Sequence, residues 1–324
     1  MRLLLLLLFL SPTYLISQPS LFDVLNTRSD TATLRIETDW NKLVRKKKNK
    51  VFQQATVMLT VGESTFKFKG KLRSRGNTRL EVCQNPSLKL KLKKTELIAA
   101  GFSDLNELKF VLQCSNNSMG QSYLNREQMI YDLHAVYSDF SHRTTPVRLD
   151  LGRDELISSF MIEHKEQMAT RFNARVLETK RISTQGLQRN TYVNMCLFNF
   201  LILNTDWHVS NLHNLTFINP NGSLDLIPIP YDFDYSGFVG THYAVPHDAL
   251  EISSIYVPTW LGKRVTPEEI KTGAEHYLAR REAAEQLLAE HPGLDNRDRK
   301  RMLKRLAVFY KLLEDEKRLI RLVD

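Results

Sequence analysis

The chain holds only three cysteines in 324 residues, Cys83, Cys114 and Cys196, and no C-x-x-C pair. A thioredoxin-like or cysteine-built zinc site is thereby excluded, and the odd count allows one disulfide at most, leaving a free thiol. Cys114 and Cys196 flank apolar segments and read as small core residues. There is no G-x-S-x-G elbow and no H-E-x-x-H helix, which removes two common hydrolytic chemistries. Neither G-x-G-x-x-G nor G-x-x-x-x-G-K-[ST] occurs, so no familiar phosphate-cradling loop is present. Disorder is not indicated either, since 42% hydrophobic and 25% charged residues are ordinary for a packed core. Beyond the first residues, no run is long and apolar enough to cross a membrane.

What is present begins with Met1-Arg2, then Leu3 to Leu8, Phe9 and Leu10, then Ser11-Pro12. A basic start, a short apolar core and a helix breaker describe a secretory signal peptide over residues 1–17, with cleavage near Ser17-Gln18. A buried N-terminal helix is the alternative, but six consecutive leucines give it no amphipathic face. The mature protein is therefore expected to be secreted or periplasmic, with no stable membrane span after cleavage. The net charge of +9 is concentrated early, in Lys42 to Lys50, Lys67 to Arg75 and Lys89 to Lys94. No aromatic residues interleave with these cations as stacking platforms, so nucleic acid is not expected as a partner. Most of them read as solvated strand faces and a loop, with some left to face an anionic ligand.

Residues 32–38, 55–61 and 65–73 alternate apolar with polar, as half-buried strands do, and Gly62-Glu63-Ser64 reads as a hairpin turn. Leu88, Leu90 and Leu92 alternate with Lys89, Lys91 and Lys93, and 108–114 continues the strand pattern. From Tyr123 the apolar period becomes helical. Residues 147–151 and 156–163 return to strand-like runs, 192–203 is a compact apolar helix, and 215–218 and 224–229 are short strands. Residues 267–324 are largely helical, broken at Pro292-Gly293. The plan is α+β: a mainly antiparallel sheet over residues 18–118, then a mainly helical part over residues 119–324, with a cleft between them.

The chemistry-bearing stretch is Asn204-Thr205-Asp206-Trp207-His208, then Asn211 and Asn214, a short strand, and Pro230-Tyr231-Asp232-Phe233-Asp234. A carboxylate, a following amide and a second acidic pair are the groups that metal-dependent phosphoryl transfer needs, in the order it needs them. Asp206 alone would be a turn or cap residue. Asp232 and Asp234, on alternate positions, could otherwise make a calcium site or a solvated turn. His208, His213, His242 and His247 with Asp232 are suitable transition-metal ligands, but their spacings match no metal motif.

These residues resemble the kinase-like family typified by the spore-coat protein kinase CotH, and more distantly the HipA-type kinases. The resemblance is carried by Asn204-x-Asp206, His213-Asn214, Pro230 to Gly237 and Tyr243-Ala244-Val245-Pro246. Pro86 to Leu90, the Glu127 segment and Phe160-Met161-Ile162-Glu163 add to it. It covers most of residues 70–320, in an exported bacterial branch of the family. It implies a two-lobed protein-kinase-like fold with an antiparallel sheet N-lobe and a mainly helical C-lobe.

The resemblance further implies that ATP and Mg2+ are cofactors and that a protein hydroxyl receives the γ-phosphoryl group. Asp206 becomes the catalytic base; Asn214 or Asn211 and Asp232 become metal ligands, with Asp234 in support. Lys89 is the candidate to hold the nucleotide phosphates, paired with Glu127 or Glu163, and Arg75 lies in the Arg73 to Asn77 turn that resembles a phosphate-facing element. Glu163, after an apolar run, needs a cationic or hydrogen-bonded neighbour in any case. No His-Arg-Asp triplet precedes the base. Two other readings stay open: a catalytically silent scaffold or coat-type binding protein, and a nucleotidyl (AMP) transferase.

Overall fold

Strict alternation over Ala32–Glu37 (β1) leaves Leu34 and Ile36 buried and Arg35 and Glu37 exposed, so this strand needs a partner along each edge. In the computed structural model, which describes residues 18–153 and 155–324, it finds them by closing a barrel. The expected signal peptide lies outside the described residues. The other barrel strands are β2 (Gln53–Val61), β3 (Ser64–Arg75), β4 (Ser87–Leu92), β5 (Glu107–Leu112), β6 (Thr144–Asp150) and β7 (Ile157–Ile162). Their order is β1-β2-β3-β4-β5-β7-β6, and every pair is antiparallel except the parallel β1–β6 seam. Gly62, at φ 59°, opens the two-residue turn from β2 to β3.

The inward side chains, among them Leu34, Val57, Phe68, Leu72, Leu90, Phe110 and Leu149, form one apolar cluster. A mainly antiparallel sheet within residues 18–118 was expected here; the sheet closes into a barrel and takes in two later strands. Periodicity marks which face of a strand is buried but not which strand lies beside it. Thus β6 and β7, beyond residue 118, complete the barrel rather than joining the helices.

Three short helices pack on the barrel core, α1 (Leu21–Asn26), α2 (Trp40–Arg45) and α4 (Lys94–Ala99), and a fourth, α3 (Thr78–Val82), links β3 to β4. The long α5 (Ser118–Tyr137) follows β5, and α6 (Lys165–Arg171) follows β7. The second apolar cluster gathers α5 with α7 (Arg189–Leu201), α8 (Pro267–Leu278), α9 (Arg281–Glu290), α10 (Asn296–Glu314) and α11 (Glu316–Ile320). A small antiparallel sheet of β8 (Ala174–Val176), β9 (Leu215–Pro220) and β10 (Ile227–Pro230) lies beside them.

The two units meet where β5 and β7 bury apolar side chains on both faces, at the ends that carry Val111 and Phe160. Phe110 and Met161 point into the barrel, while Val111, Phe160 and Ile162 join the helical cluster. Burying such side chains contributes roughly 1.5–3 kcal/mol each. Cys114 is not a lone core residue: it is disulfide-bonded to Cys83, and Cys196 is the buried free thiol.

Candidate functional site

Helix α7 ends at Leu201, and Leu203 takes a left-handed conformation (φ 59°) that turns the chain off the helix axis. Buried Asn204 then fixes the direction of the chain. Its Nδ2 donates to Asn199 Oδ1 at 2.8 Å, and its Oδ1 accepts from the Asp206 backbone N–H at 3.1 Å. Asn199 in turn donates to Met195 O. This chain of amides aims Asp206 out of the helix end.

His208 and His213 exchange two backbone hydrogen bonds, 3.1 and 3.0 Å, so the intervening loop doubles back on itself. Leu212 and Asn214, at φ 57° and 52°, make the turn. The return places Asn214 against Asp206: Asn214 Nδ2 donates to Asp206 O at 2.8 Å and to Oδ2 at 2.9 Å. His213 Nε2 lies 2.8 Å from Asp206 Oδ1. Because both partners of the Asn214 amide nitrogen are acceptors, the orientation of that amide is settled, and its Oδ1 points elsewhere. Asn211 is exposed and accepts from the His213 backbone N–H at 3.3 Å, which commits it to the loop turn.

Pairing of β9 with β10 brings the acidic pair to the same place. Pro230 is in register with Leu215, and Tyr231 N–H donates to Asn214 O at 3.1 Å. The next residue, Asp232, is left-handed (φ 64°), a conformation Asp tolerates better than most residues, and its N–H donates to the Tyr131 hydroxyl. Among the described residues its carboxylate has no hydrogen-bond or ion-pair partner. Asp234 is different: it is buried, and its Oδ2 accepts from Arg79 Nε at 3.1 Å and from the Tyr243 hydroxyl at 2.8 Å.

Arg79, on α3, was not legible as a site residue, yet it is the hub of this region. Besides Asp234 it donates to Glu127 Oε2 at 3.1 Å, to Leu112 O and to the Ser87 hydroxyl. Glu127 therefore pairs with Arg79 and not with Lys89. One guanidinium faces two buried carboxylates. Burial, together with the negative charge of Asp234 and Asp232, pushes Glu127 up to about 8. Burial and Asp232 likewise raise Asp234.

Glu163 is held by Arg143, at 2.6 Å, and Arg171, at 2.7 Å, and Arg143 continues to Asp23 on α1. It has the cationic neighbours its burial demands, and neither is Lys89. Lys89 itself stands on the outer face of β4, 2.6 Å from Glu107, which also takes Lys91 at 3.2 Å. Against a burial that would raise it, those lysines draw Glu107 down to about 2.

Beside Lys89 in the sheet register is Lys109. Among the described residues Lys109 has no ion-pair partner within 4 Å. Burial, then the nearby charge of Arg75, brings its ammonium down to about 8, with Lys89 and Lys165 adding to the effect. Arg75 also acts electrostatically on Glu127, Tyr131 and Tyr231, so its charge is felt both at Lys109 and in the acidic seam. The only sequence signal for Lys109 was a cation at an outward position next to apolar Val111.

A cavity of about 470 Å³ adjoins these groups, lined by Leu177, Leu212, Leu215, Phe217, Tyr231 and Lys165 among others. Leu215 and Tyr231 in its wall are the chain neighbours of Asn214 and Asp232, which do not themselves line it. Its wall mixes these apolar side chains with Glu178, Thr179, Lys180 and Thr216, and a concave site that combines apolar and polar groups can take a small molecule.

Among the described residues no three His, Cys, Asp or Glu side chains converge as metal ligands. His213 is hydrogen-bonded to Asp206, and the His242 ring packs with the rings of Tyr123 and Tyr243. One carboxylate and one amide oxygen suit Mg2+, which commonly keeps several waters and takes its remaining ligands from substrate phosphates.

No protein family model matches the chain, and no curated protein matches it. Among solved structures, the crystal structure of the Helicobacter pylori proinflammatory kinase CtkA is similar, at 10% identity and a TM-score of 0.41. The alignment covers 72% of this chain and 94% of that one. At that identity and score, the likeness extends to neither ligand nor mechanism.

Proposed function

We propose that this chain is an atypical phosphotransferase that uses ATP and Mg2+ to phosphorylate a protein hydroxyl. The observation that carries the reading is Asn214. Its nitrogen clamps Asp206, and Asn214 and the unpartnered Asp232 flank the same end of the β9–β10 hairpin, whose Leu215 and Tyr231 line the cavity. A base and two oxygen ligands held by one hairpin are what in-line phosphoryl transfer requires.

The adenosine would occupy the cavity against Tyr231 and Leu215, with its phosphates toward Lys109 and Arg75. Lys109 is better suited than Lys89, because Glu107 already neutralises Lys89. Asp206, oriented by His213 and Asn214, accepts the proton of the acceptor hydroxyl as the O–P bond forms and the bond to the leaving ADP breaks. Bound Mg2+ would neutralise the phosphate oxygens, and Asn214 and Asp232 would hold it. Asp234 is committed to Arg79 and Tyr243, so its part is to fix the backbone that presents Asp232. A Cys83–Cys114 disulfide fits an oxidising compartment and so supports a secreted or periplasmic protein. No helix among the described residues is long and apolar enough to cross a membrane.

The test is incubation with Mg2+ and ATP labelled at the γ or the α phosphate, using the wild type beside Asp206→Asn and Asp232→Asn. Label from γ, falling on the order of 10²-fold or more in Asp206→Asn while nucleotide still binds, is the expected outcome. Label from α identifies nucleotidyl transfer instead. Absence of both label and nucleotide binding in a folded wild type would leave only the scaffold reading.

A further inference from the structure

Five successive outward positions of β3 are cationic: Lys67, Lys69, Lys71, Arg73 and Arg75. The sheet register extends this face sideways, aligning Lys71 with Lys91 and Arg73 with Lys89, which aligns in turn with Lys109. Glu107 pairs with Lys89 and Lys91, but among the described residues Lys71 and Arg73 have no carboxylate within 4 Å.

These charges also converge. Lys71, Arg73 and Lys91 all lie over the ring of Phe52, at 5.2, 5.1 and 5.9 Å from its centre. A ring face attracts a cation, yet three like charges over one ring still repel, and an incoming anion relieves that repulsion. The inner end of the face, Arg75 and Lys109, is half-buried, with the charge of Arg75 felt at Glu127, and the outer end, Lys67 and Lys69, is exposed. From Arg75 to Lys67 the face runs roughly 26 Å at the rise of an extended strand.

We propose that this face docks an acidic stretch of polypeptide, and that the protein acceptor is therefore rich in Asp and Glu around its hydroxyl. The second clause rests on the phosphotransferase reading; the docking itself does not. Extended polypeptide is the matching occupant because its alternate side chains repeat every two residues, the same period as the cations along β3. A single-stranded nucleic acid would need open stacking surfaces, and the Phe52 ring is covered by its three cations. A planar anionic bilayer would meet few of the cations at once on a curved barrel wall.

The experiment uses the full chain and a short fluorescein-labelled peptide in which Glu alternates with Gly around one Ser. Fluorescence anisotropy should show binding that weakens as salt rises. Lys71→Glu with Arg73→Glu should lower the affinity on the order of a hundredfold, with thermal unfolding unchanged. Lys69→Gln with Lys71→Gln, at two exposed positions, gives a milder loss in the same direction and stands in if the charge reversal fails to fold.

No binding by the wild type, or binding unaltered in both variants, overturns the proposal. So does tighter binding of a poly-dT oligonucleotide or of phosphatidylglycerol vesicles through the same residues. Peptide that binds this face while the chain neither binds nucleotide nor transfers label supports the docking and removes the phosphotransferase reading, so the two failures are distinguishable. With transfer, the charge-reversed variant raises KM for the peptide and leaves kcat unchanged.

Discussion

Arg79 and Asp234 stand 155 residues apart in the chain, and the Arg79 guanidinium donates to the Asp234 carboxylate at 3.1 Å in the buried seam between barrel and helices. The same guanidinium holds Glu127 on α5. Arg79→Met removes the one cation facing both buried acids, and a charge left unpaired in such a place costs about 3–5 kcal/mol. Urea unfolding should show that loss. A variant within about 1 kcal/mol of the wild type would mean the network contributes little.

Glu127 gives this seam a pH dependence. Its carboxyl is raised to about 8, chiefly by burial and then by Asp234 and Asp232, while Arg79 opposes the shift. A group whose native pKa is raised binds its proton more tightly when folded. The stability it contributes is fully present below its unfolded value of about 4.3 and is lost as pH rises through about 8. Glu127→Gln keeps the shape of the protonated acid and should flatten that decline. Unfolding free energies measured from pH 4 to pH 9, in wild type and variant, check it; parallel curves would contradict the assignment.

Much of this site was legible in the sequence, and the missing parts share a cause. Asp206, Asn214 and Asp232 lie within 27 positions of one another on one helix end and one hairpin, so local spacing was enough to bring them together. Preferring Asn214 over Asn211 was likewise a local judgement, and the structure puts Asn214 on Asp206. The cations come from the barrel. Which lysine of an alternating strand stands nearest the acids, and which is already neutralised, depends on the neighbouring strand. Glu107 settles it for Lys89, and no pattern within β4 reveals Glu107. Barrel closure escaped for the same reason, since β1 and β6 pair across more than 100 residues.

The disulfide should behave as a fastener for the hub. Cys83 directly follows α3, which carries Arg79, and Cys114 follows β5, which carries Lys109, across a separation of 31 residues. Replacing both cysteines with serine should cost about 2–4 kcal/mol, read from thermal or urea unfolding. Thiol titration offers a second check. Burial pushes the Cys196 thiol well above its ordinary range, so the native protein should react with no equivalents and the unfolded, unreduced protein with one.

The two amides of the loop should separate cleanly. Asn214→Ala removes both hydrogen bonds to Asp206 and the amide oxygen proposed as a metal ligand, so Mg2+-dependent nucleotide binding and label transfer should both fall, transfer by roughly 10²-fold or more. Asn211→Ala loses only a loop bond and should stay within a few-fold of wild type in both assays. The reverse ranking would return the metal amide to Asn211.

Lys109 is the sharpest test of where the phosphates lie. Its ammonium is brought down to about 8, first by burial and then by Arg75, so in the free protein it is charged below that pH and loses its charge above it. A polyphosphate bound there stabilises the charged form. Nucleotide affinity should therefore be highest below about pH 8 and decline as pH rises through it, with proton uptake on binding in that range. Lys109→Met should abolish both the pH dependence and most of the affinity, whereas Lys89→Met, which removes an already neutralised cation, should change either only slightly. Calorimetric titration of ATP in two buffers of different ionisation enthalpy measures the proton uptake directly. If Lys89→Met proves the more damaging, the phosphates lie one strand away, over β4.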